Sequence, residues 1–326
     1  MQIFKNPNYD FVRWRWHAIA LSVLVILAGA LHIWKNGLQL GVDFEGGTIV
    51  IVKFDQVPPL ERIREALAAN MPGGGEAVVQ QYGDAANRDV LIRVRRTGAE
   101  TGSDLSREAE AVMAALRKGN LGKFSERPEG TEIVGPVVGE QLKRQGIYAT
   151  VLALAGILAY IAIRFQLSFA VGAVAATLHD LLVCLAFLSF FKYDVTLNVI
   201  AGLLTITGYS VNDTIVIFDR VRENMRAMRR DNLAHIVNVA VNQTLGRTII
   251  TAGTTLLSVI ALYLFGGEVL KGFAFTMLVG IISGTYSTIF IASAIAIMFQ
   301  GRKLVKGQVA TPAADAPRKP GRRRAS

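Results

Sequence analysis

The chain has 326 residues and a formal net charge of +10, from 35 Lys and Arg against 25 Asp and Glu. With 52% hydrophobic residues, 18% charged residues and a mean hydropathy of +0.38, it is too apolar for a soluble protein, although soluble proteins often hold one buried helix. Its single thiol, Cys184, excludes an internal disulfide and a cysteine zinc cluster, and is read as a packing residue.

Residues 1–15 carry Lys5, Arg13 and Arg15, and the first apolar run follows from Trp16 to Ile33. Basic residues before an apolar stretch and Ala28-Gly29-Ala30 also fit a cleavable export signal. The run continues past that point, however, and Trp14, Trp16 and Trp34 stand at its ends like an interfacial belt. A retained transmembrane helix over residues 16–34 is expected.

Residues 35–146 form a separate α+β segment. Leu38 to Phe54 reads as a strand broken by the turn chemistry of Gly41 and Gly46-Gly47. Pro58 to Asn70 reads as a helix with Leu60, Ile63 and Leu67 on one face. After the breaker cluster MPGGGE, Ala77 to Tyr82 and Asp89 to Arg95 read as strands, the second alternating Val90, Ile92 and Val94 with polar neighbours. Ser103 to Lys118 reads as an amphipathic helix started by Ser103-Asp104 and stopped at Gly119, and Glu132 to Val134 as a last strand. The order βαββαβ predicts a small ferredoxin-like sheet with both helices on one face.

Five more apolar runs follow: Ile147–Ile163, Ser168–Phe191, Val195–Phe218, Thr248–Phe265 and Phe273–Phe299. Each is close to the roughly 20 residues that cross a 30 Å hydrocarbon core, which gives six transmembrane helices in all, five of them within residues 147–299. The short connections hold their Lys and Arg on one side: the N-terminus, the segment 219–247 and the tail 300–326, against only Lys192 and Lys271 on the other. By the positive-inside rule both termini are cytoplasmic and residues 35–146 lie outside. Much of the positive charge is therefore anchoring charge. The tail, with Arg318, Lys319 and Arg322 to Arg324, reads as a disordered anchor for membrane lipids, and no nucleic-acid partner is expected.

The most informative residue is Asp213, an ionisable group inside an otherwise apolar run. Such a group costs about 2.5–3.5 kcal/mol on insertion scales, and the default reading is proton or ion handling. It shares an arc of its helix with Asn198, Gly202, Thr205, Tyr209 and Asn212. The fifth run carries a polar stripe of Thr244, Arg247, Thr248, Thr251, Thr255 and Ser258, and the sixth repeats small residues at Gly280, Gly284, Thr288, Ala292 and Ala296. Arg247 on its own reads as a residue snorkelling to the interface. His179-Asp180 is a second candidate: a His beside an acid relays protons at physiological pH, and the same pair serves equally to tie two helices together. Neighbours point about 100° apart on a helix, so one of the two is expected to face the seam of Asp213.

Four blocks, GVDFEGGT (Gly41 to Thr48), VGPVVGEQL (Val134 to Leu142), GYSVNDTIVIFDRVREN (Gly208 to Asn224) and NQTLGRTIITAGTT (Asn242 to Thr255), resemble the signatures of the SecF family, within the resistance-nodulation-division superfamily. The resemblance implies a SecD partner whose six spans complete a twelve-helix unit in the bacterial inner membrane. It also implies an accessory role at the Sec translocon channel, in which proton flow moves external domains that act on an unfolded, exported polypeptide. It assigns Asp213 and Arg247 to the proton path, with Asn212 beside the acid in the VND segment. Gly246 stands where many relatives are expected to have Ser, and residues beyond about Lys303 match no family block.

No GxxxxGK[ST] sequence is present to cradle nucleotide phosphates, so protons rather than a bound cofactor are the expected coupling agent. No nucleophile–base pair or metal cluster is evident by spacing, and an enzyme is not expected. Two other classes stay open: an exporter of lipids or small molecules from the same superfamily, and a scaffold that only holds channel components together.

Overall fold

The computed structural model describes residues 7–56, 59–83, 85–94, 105–164 and 167–299. In chain order the elements are α1 (Arg15–Asn36), α2 (Val42–Glu45), β1 (Gly47–Lys53), α3 (Leu60–Asn70), β2 (Val78–Tyr82), β3 (Asp89–Val94), α4 (Leu105–Lys118), β4 (Gly130–Val134), α5 (Pro136–Arg164), α6 (Leu167–Phe190), α7 (Leu197–Ala227), α8 (Leu233–Phe265) and α9 (Glu268–Ser287). A π-helical turn, Thr288–Ala292, continues α9, and helix resumes to residue 299. Among the described residues six helices are long and apolar enough to cross a membrane, which makes this a multi-pass membrane protein.

The helices outrun the apolar stretches that announce them. α5 begins at Pro136 rather than Ile147, so the last part of 35–146 is already helix. α7 runs on to Ala227 and α8 starts at Leu233, so 219–247 is two helical extensions joined by a short turn rather than a separate segment. The physical reason is simple: lipid demands apolar side chains, whereas a helix in water keeps its own backbone hydrogen bonds with charged ones.

The predicted strand from Leu38 to Phe54 is also corrected. Leu40 and Phe54 each make a single bridge on either side of the strand β1, and between Leu40 and β1 Val42 to Glu45 make one helical turn, α2. Gly46, at φ +73° and ψ 164°, takes a positive-φ conformation that glycine adopts freely, which ends this turn and swings the chain into β1. The Ser103-Asp104 start of α4, the Pro58 start of α3 and the tail 300–326 lie outside the described residues.

The strands form one antiparallel sheet, ordered β2-β3-β1-β4, with Val50 opposite Ile92 and Thr131. Alternation divides its faces. Val50, Val52, Val79, Val90, Ile92 and Val94 pack under Ile63 and Leu67 of α3 and Val112 and Leu116 of α4, forming the domain core. Ile49, Ile51, Leu91 and Arg93 look the other way, into a cleft of about 510 Å³ whose far wall is the α6–α7 loop with Phe191, Tyr193 and Asp194.

Glu132 of β4 lines that cleft with Asp43. Partial burial, and second the charge of Asp43, push its carboxyl above the usual glutamate range. A raised carboxyl favours the protonated fold, so at neutral pH ionised Glu132 is a small cost that disappears on acidification below the ordinary carboxylate range. Glu132→Gln is therefore expected to raise the thermal midpoint by about 1 °C at neutral pH. The difference from the parent should close in acid, as read by paired melts across pH.

Within the bundle α9 packs along α7 and α6 through its small residues. Gly280 lies against Ile206 so tightly that a β-carbon there would fall inside van der Waals contact of the Ile206 side chain, and Gly284 meets Ser210 in the same way at 3.1 Å. Gly280→Ala is expected to cost about 1–3 kcal/mol by overpacking. Thermal unfolding of the purified protein in detergent reads that loss.

Candidate functional site within the helical bundle

α7 is set by Thr196, whose hydroxyl accepts the Val199 N–H at 3.3 Å and caps the helix start, and the helix then runs without interruption through Asp213. One of its turns reaches three neighbours. The Ser210 hydroxyl donates to Asp180 Oδ2 of α6 at 2.6 Å, Asp213 Oδ1 accepts from the Thr248 hydroxyl of α8 at 2.9 Å, and the hydroxyls of Thr214 and Thr288 meet at 3.0 Å. Thr288 opens the π-helical turn, and the Ser293 hydroxyl bonds back to its carbonyl at 3.1 Å. Such turns in membrane helices free backbone groups and recur at functional sites.

The two carboxylates in this region differ sharply. Asp180 is 1% exposed and saturated with donors: Ser210 at 2.6 Å, Ser283 at 2.7 Å, Ser287 at 2.8 Å and the His179 Nδ1–H at 3.0 Å. Asp213 has Thr248 on one oxygen, while Oδ2 is buried with no hydrogen-bond partner among the described residues. A carboxylate has about four acceptor sites, so one group is fixed by its surroundings and the other is left to find a donor.

His179 carries the network onward to α1. Its Nε2 lies 2.9 Å from the Ser22 hydroxyl, Ser22 is 3.4 Å from the Tyr286 hydroxyl, and Tyr286 donates to the Ala18 carbonyl at 2.7 Å. With both ring nitrogens protonated, each oxygen in this line receives a donor. With Nε2 bare, the Ser22 hydroxyl turns back to the ring and gives up Tyr286. The 100° between neighbours splits the pair, His179 toward α1 and Asp180 toward α7 and α9, and neither is bonded to Asp213. The expectation that one of them faces the seam of Asp213 is thus replaced by a separate cluster one helical turn away.

Arg247 is not the residue of α8 that hydrogen-bonds to Asp213. It is exposed, close enough for its charge to act on Asp213, yet its neighbour Thr248 makes the hydrogen bond. Asn212 and Thr205 are exposed on the outer side of α7, and the hydroxyls of Thr254, Thr255 and Ser258 on α8 bond back to carbonyls of their own helix. Asn242, in the fourth signature block, holds the N-terminal segment instead. Its amide accepts from the Tyr9 N–H at 2.9 Å and donates to the Tyr9 carbonyl at 2.8 Å, while Asn238 accepts the Phe11 N–H at 2.9 Å. Sequence reasoning missed Ser22, Ser210, Ser283, Ser287 and Tyr286. The only signal was the spacing of Ser283 and Ser287, four apart on one helix face.

The family model described as "Protein export membrane protein SecD/SecF, C-terminal" matches residues 118–302, more than half of the chain, and "SecD/SecF GG Motif" matches residues 33–56. Protein translocase subunit SecF of Rhodothermus marinus is 42% identical over 320 residues, covering 95% of this chain and 99% of that protein. The chain belongs to the SecF family. SecF of Vibrio alginolyticus is 42% identical over 297 residues, 91% of each chain. Among solved structures, SecDF of Thermus thermophilus, described as a translocon-associated membrane protein, matches with a TM-score of 0.80 and 33% identity, covering 91% of this chain. This SecF-family chain spans only 39% of that longer one. SecDF in its super-membrane-facing form matches with a TM-score of 0.68, 33% identity and coverage of 94% of this chain and 41% of that one. The GG-motif match takes in Gly41 to Thr48, and the larger match takes in α5 to α9 with both carboxylates.

Proposed function

We propose that the chain is the SecF subunit of a SecDF-type complex in a bacterial inner membrane, using the proton gradient to promote late export of unfolded polypeptides through the Sec translocon. Both termini are cytoplasmic, and the α+β domain is periplasmic and ferredoxin-like, as its βαββαβ succession and antiparallel order support. Asp213 takes and releases the coupling proton, with Arg247 as the nearby charge and Asn212 at the mouth of the path. His179 and Asp180 form a secondary relay through Ser22 and Tyr286.

The observation that carries this reading is the buried Oδ2 of Asp213, which has no hydrogen-bond partner among the described residues. A carboxylate short of donors in a low-dielectric interior gains a partner by protonation or by the approach of a cation, and either event changes the forces between α7 and α8. A proton crossing about 100 mV supplies roughly 2.3 kcal/mol, enough to bias two states of a hinge. The exposed Asn212, Arg247 and Thr205 would be costly against lipid, which supports a SecD partner covering that side of α7 and α8. A pure scaffold is favoured by the saturated Asp180 and disfavoured by the open Asp213.

Export into sealed vesicles holding the channel, SecD and this chain is the test. Stimulation by the chain should vanish when a protonophore collapses the gradient. Stimulation that persists undiminished would overturn the proton-driven reading and leave the scaffold.

A further inference from the structure

Four consecutive residues at the head of α7 are each held either by the sheet or by the segment from Gln39 to Asp43 that leads into it. Asp194 takes the guanidinium of Arg93, through Nη1 at 3.3 Å to Oδ1 and through Nη2 to Oδ2. Val195 is bracketed by backbone bonds: Gly41 N–H donates to its carbonyl and its own N–H donates to the Gln39 carbonyl, both at 2.8 Å. Thr196 presses its methyl group on Gly41, where a β-carbon would stand 2.8 Å from it. Leu197, the first residue of α7, donates its N–H to Asp43 Oδ2 at 2.8 Å.

The last contact is a helix cap supplied by another domain. The first N–H groups of a helix lack partners within it and carry the positive end of its dipole, so an aspartate there is held by hydrogen bond and by charge. Arg93 is 5% exposed, its Nη1 also lies 3.4 Å from the Leu40 carbonyl, and it stands on the cleft face of β3. One ion pair and one cap therefore tie the sheet and α2 to the same turn. On its other side α2 abuts α5: a β-carbon at Gly139 would lie 3.0 Å from the Gly46 nitrogen.

We propose that Asp43, Arg93 and Asp194 are positioning residues that pass movement of α7 to the sheet domain. The proposal rests on the proton-coupled reading of Asp213. That residue lies sixteen positions beyond Leu197 on one unbroken helix, about 24 Å at 1.5 Å per residue. A packed helix without a break moves as a rod, so displacement at the level of Asp213 arrives at the cap. The cap gives the domain no slack in which to stay behind.

The test uses the full chain with its SecD partner in lipid. Spin labels at Glu65→Cys on α3 and Arg230→Cys in the α7–α8 turn, with Cys184→Ala, report the distance between the domain and the far end of the bundle. An infrared carboxyl band removed by Asp213→Asn reports protonation of that site. In the parent, acidification should change both band and distance. Asp43→Ala should keep the band and lose the distance change, and so should Arg93→Asp. The exchange Arg93→Asp with Asp194→Arg should restore it. If Asp43→Ala and Arg93→Asp keep the full distance change, the proposal is overturned. The same holds if the exchange does no better than Arg93→Asp alone. Absence of the band in the parent would instead sink the proton-coupled reading, a separate failure.

Discussion

Asp213→Asn should reduce gradient-driven export to the level measured without the chain while leaving the bundle assembled. The amide keeps an oxygen for Thr248, so the contact between α7 and α8 survives. What it loses is the ability to ionise, and it puts an N–H₂ group where the unpartnered Oδ2 now lies. A site that works by gaining and losing a proton is then frozen in one state, and no differential energy remains to shift the hinge. Thr248→Val makes a useful companion, because it removes the one donor and spares the acid. It should slow export several-fold yet preserve its response to a protonophore. Vesicle export with a collapsed and an intact gradient measures both. Full gradient dependence in Asp213→Asn would refute the assignment.

The second large effect is on stability. Asp180→Ala removes the acceptor shared by Ser210, Ser283, Ser287 and His179, which joins α6 to α7 and α9. Hydroxyls in membrane helices have a fallback, and Ser287 already bonds the Gly284 carbonyl at 3.2 Å. The loss is therefore less than four full hydrogen bonds, about 3 kcal/mol in all. Asp180→Asn, which retains one acceptor oxygen, should lose about half as much. Cys184 is the only cysteine in the sequence, is 1% exposed and sits one turn further along α6, so a thiol-reactive dye reports unfolding without added labels. An Asp180→Ala protein that melts with the parent would show that the cluster is not a structural hub.

Much of the architecture was legible because lipid imposes a crude rule. Six apolar runs of the right length were enough to find α1 and α5 to α9, and the alternation of Val90, Ile92 and Val94 was enough to find β3. Helix ends were not, because Pro136 to Gly146 and Asp219 to Ala227 stay helical with side chains that hydropathy ignores. Asp213 stood out as a charge among apolar neighbours, but its partner did not. Arg247 and Thr248 are adjacent, and which of them meets the acid depends on the rotation of α8, a tertiary property set by packing. The three serines around Asp180 were invisible for a related reason. Each is an ordinary small residue of a membrane helix until three helices bring them to one point.

The hold of Asn242 and Asn238 on Tyr9 and Phe11 bears on how the molecule is made. Tyr9 and Asn242 are 233 residues apart, and at roughly 5–20 residues per second a ribosome needs on the order of 10–50 s to travel from one to the other. Throughout that interval the first helix is in place but its leading segment has no seat. The segment from Tyr9 to Phe11 therefore waits for α8, the fifth of the membrane-spanning helices, before it can be fastened.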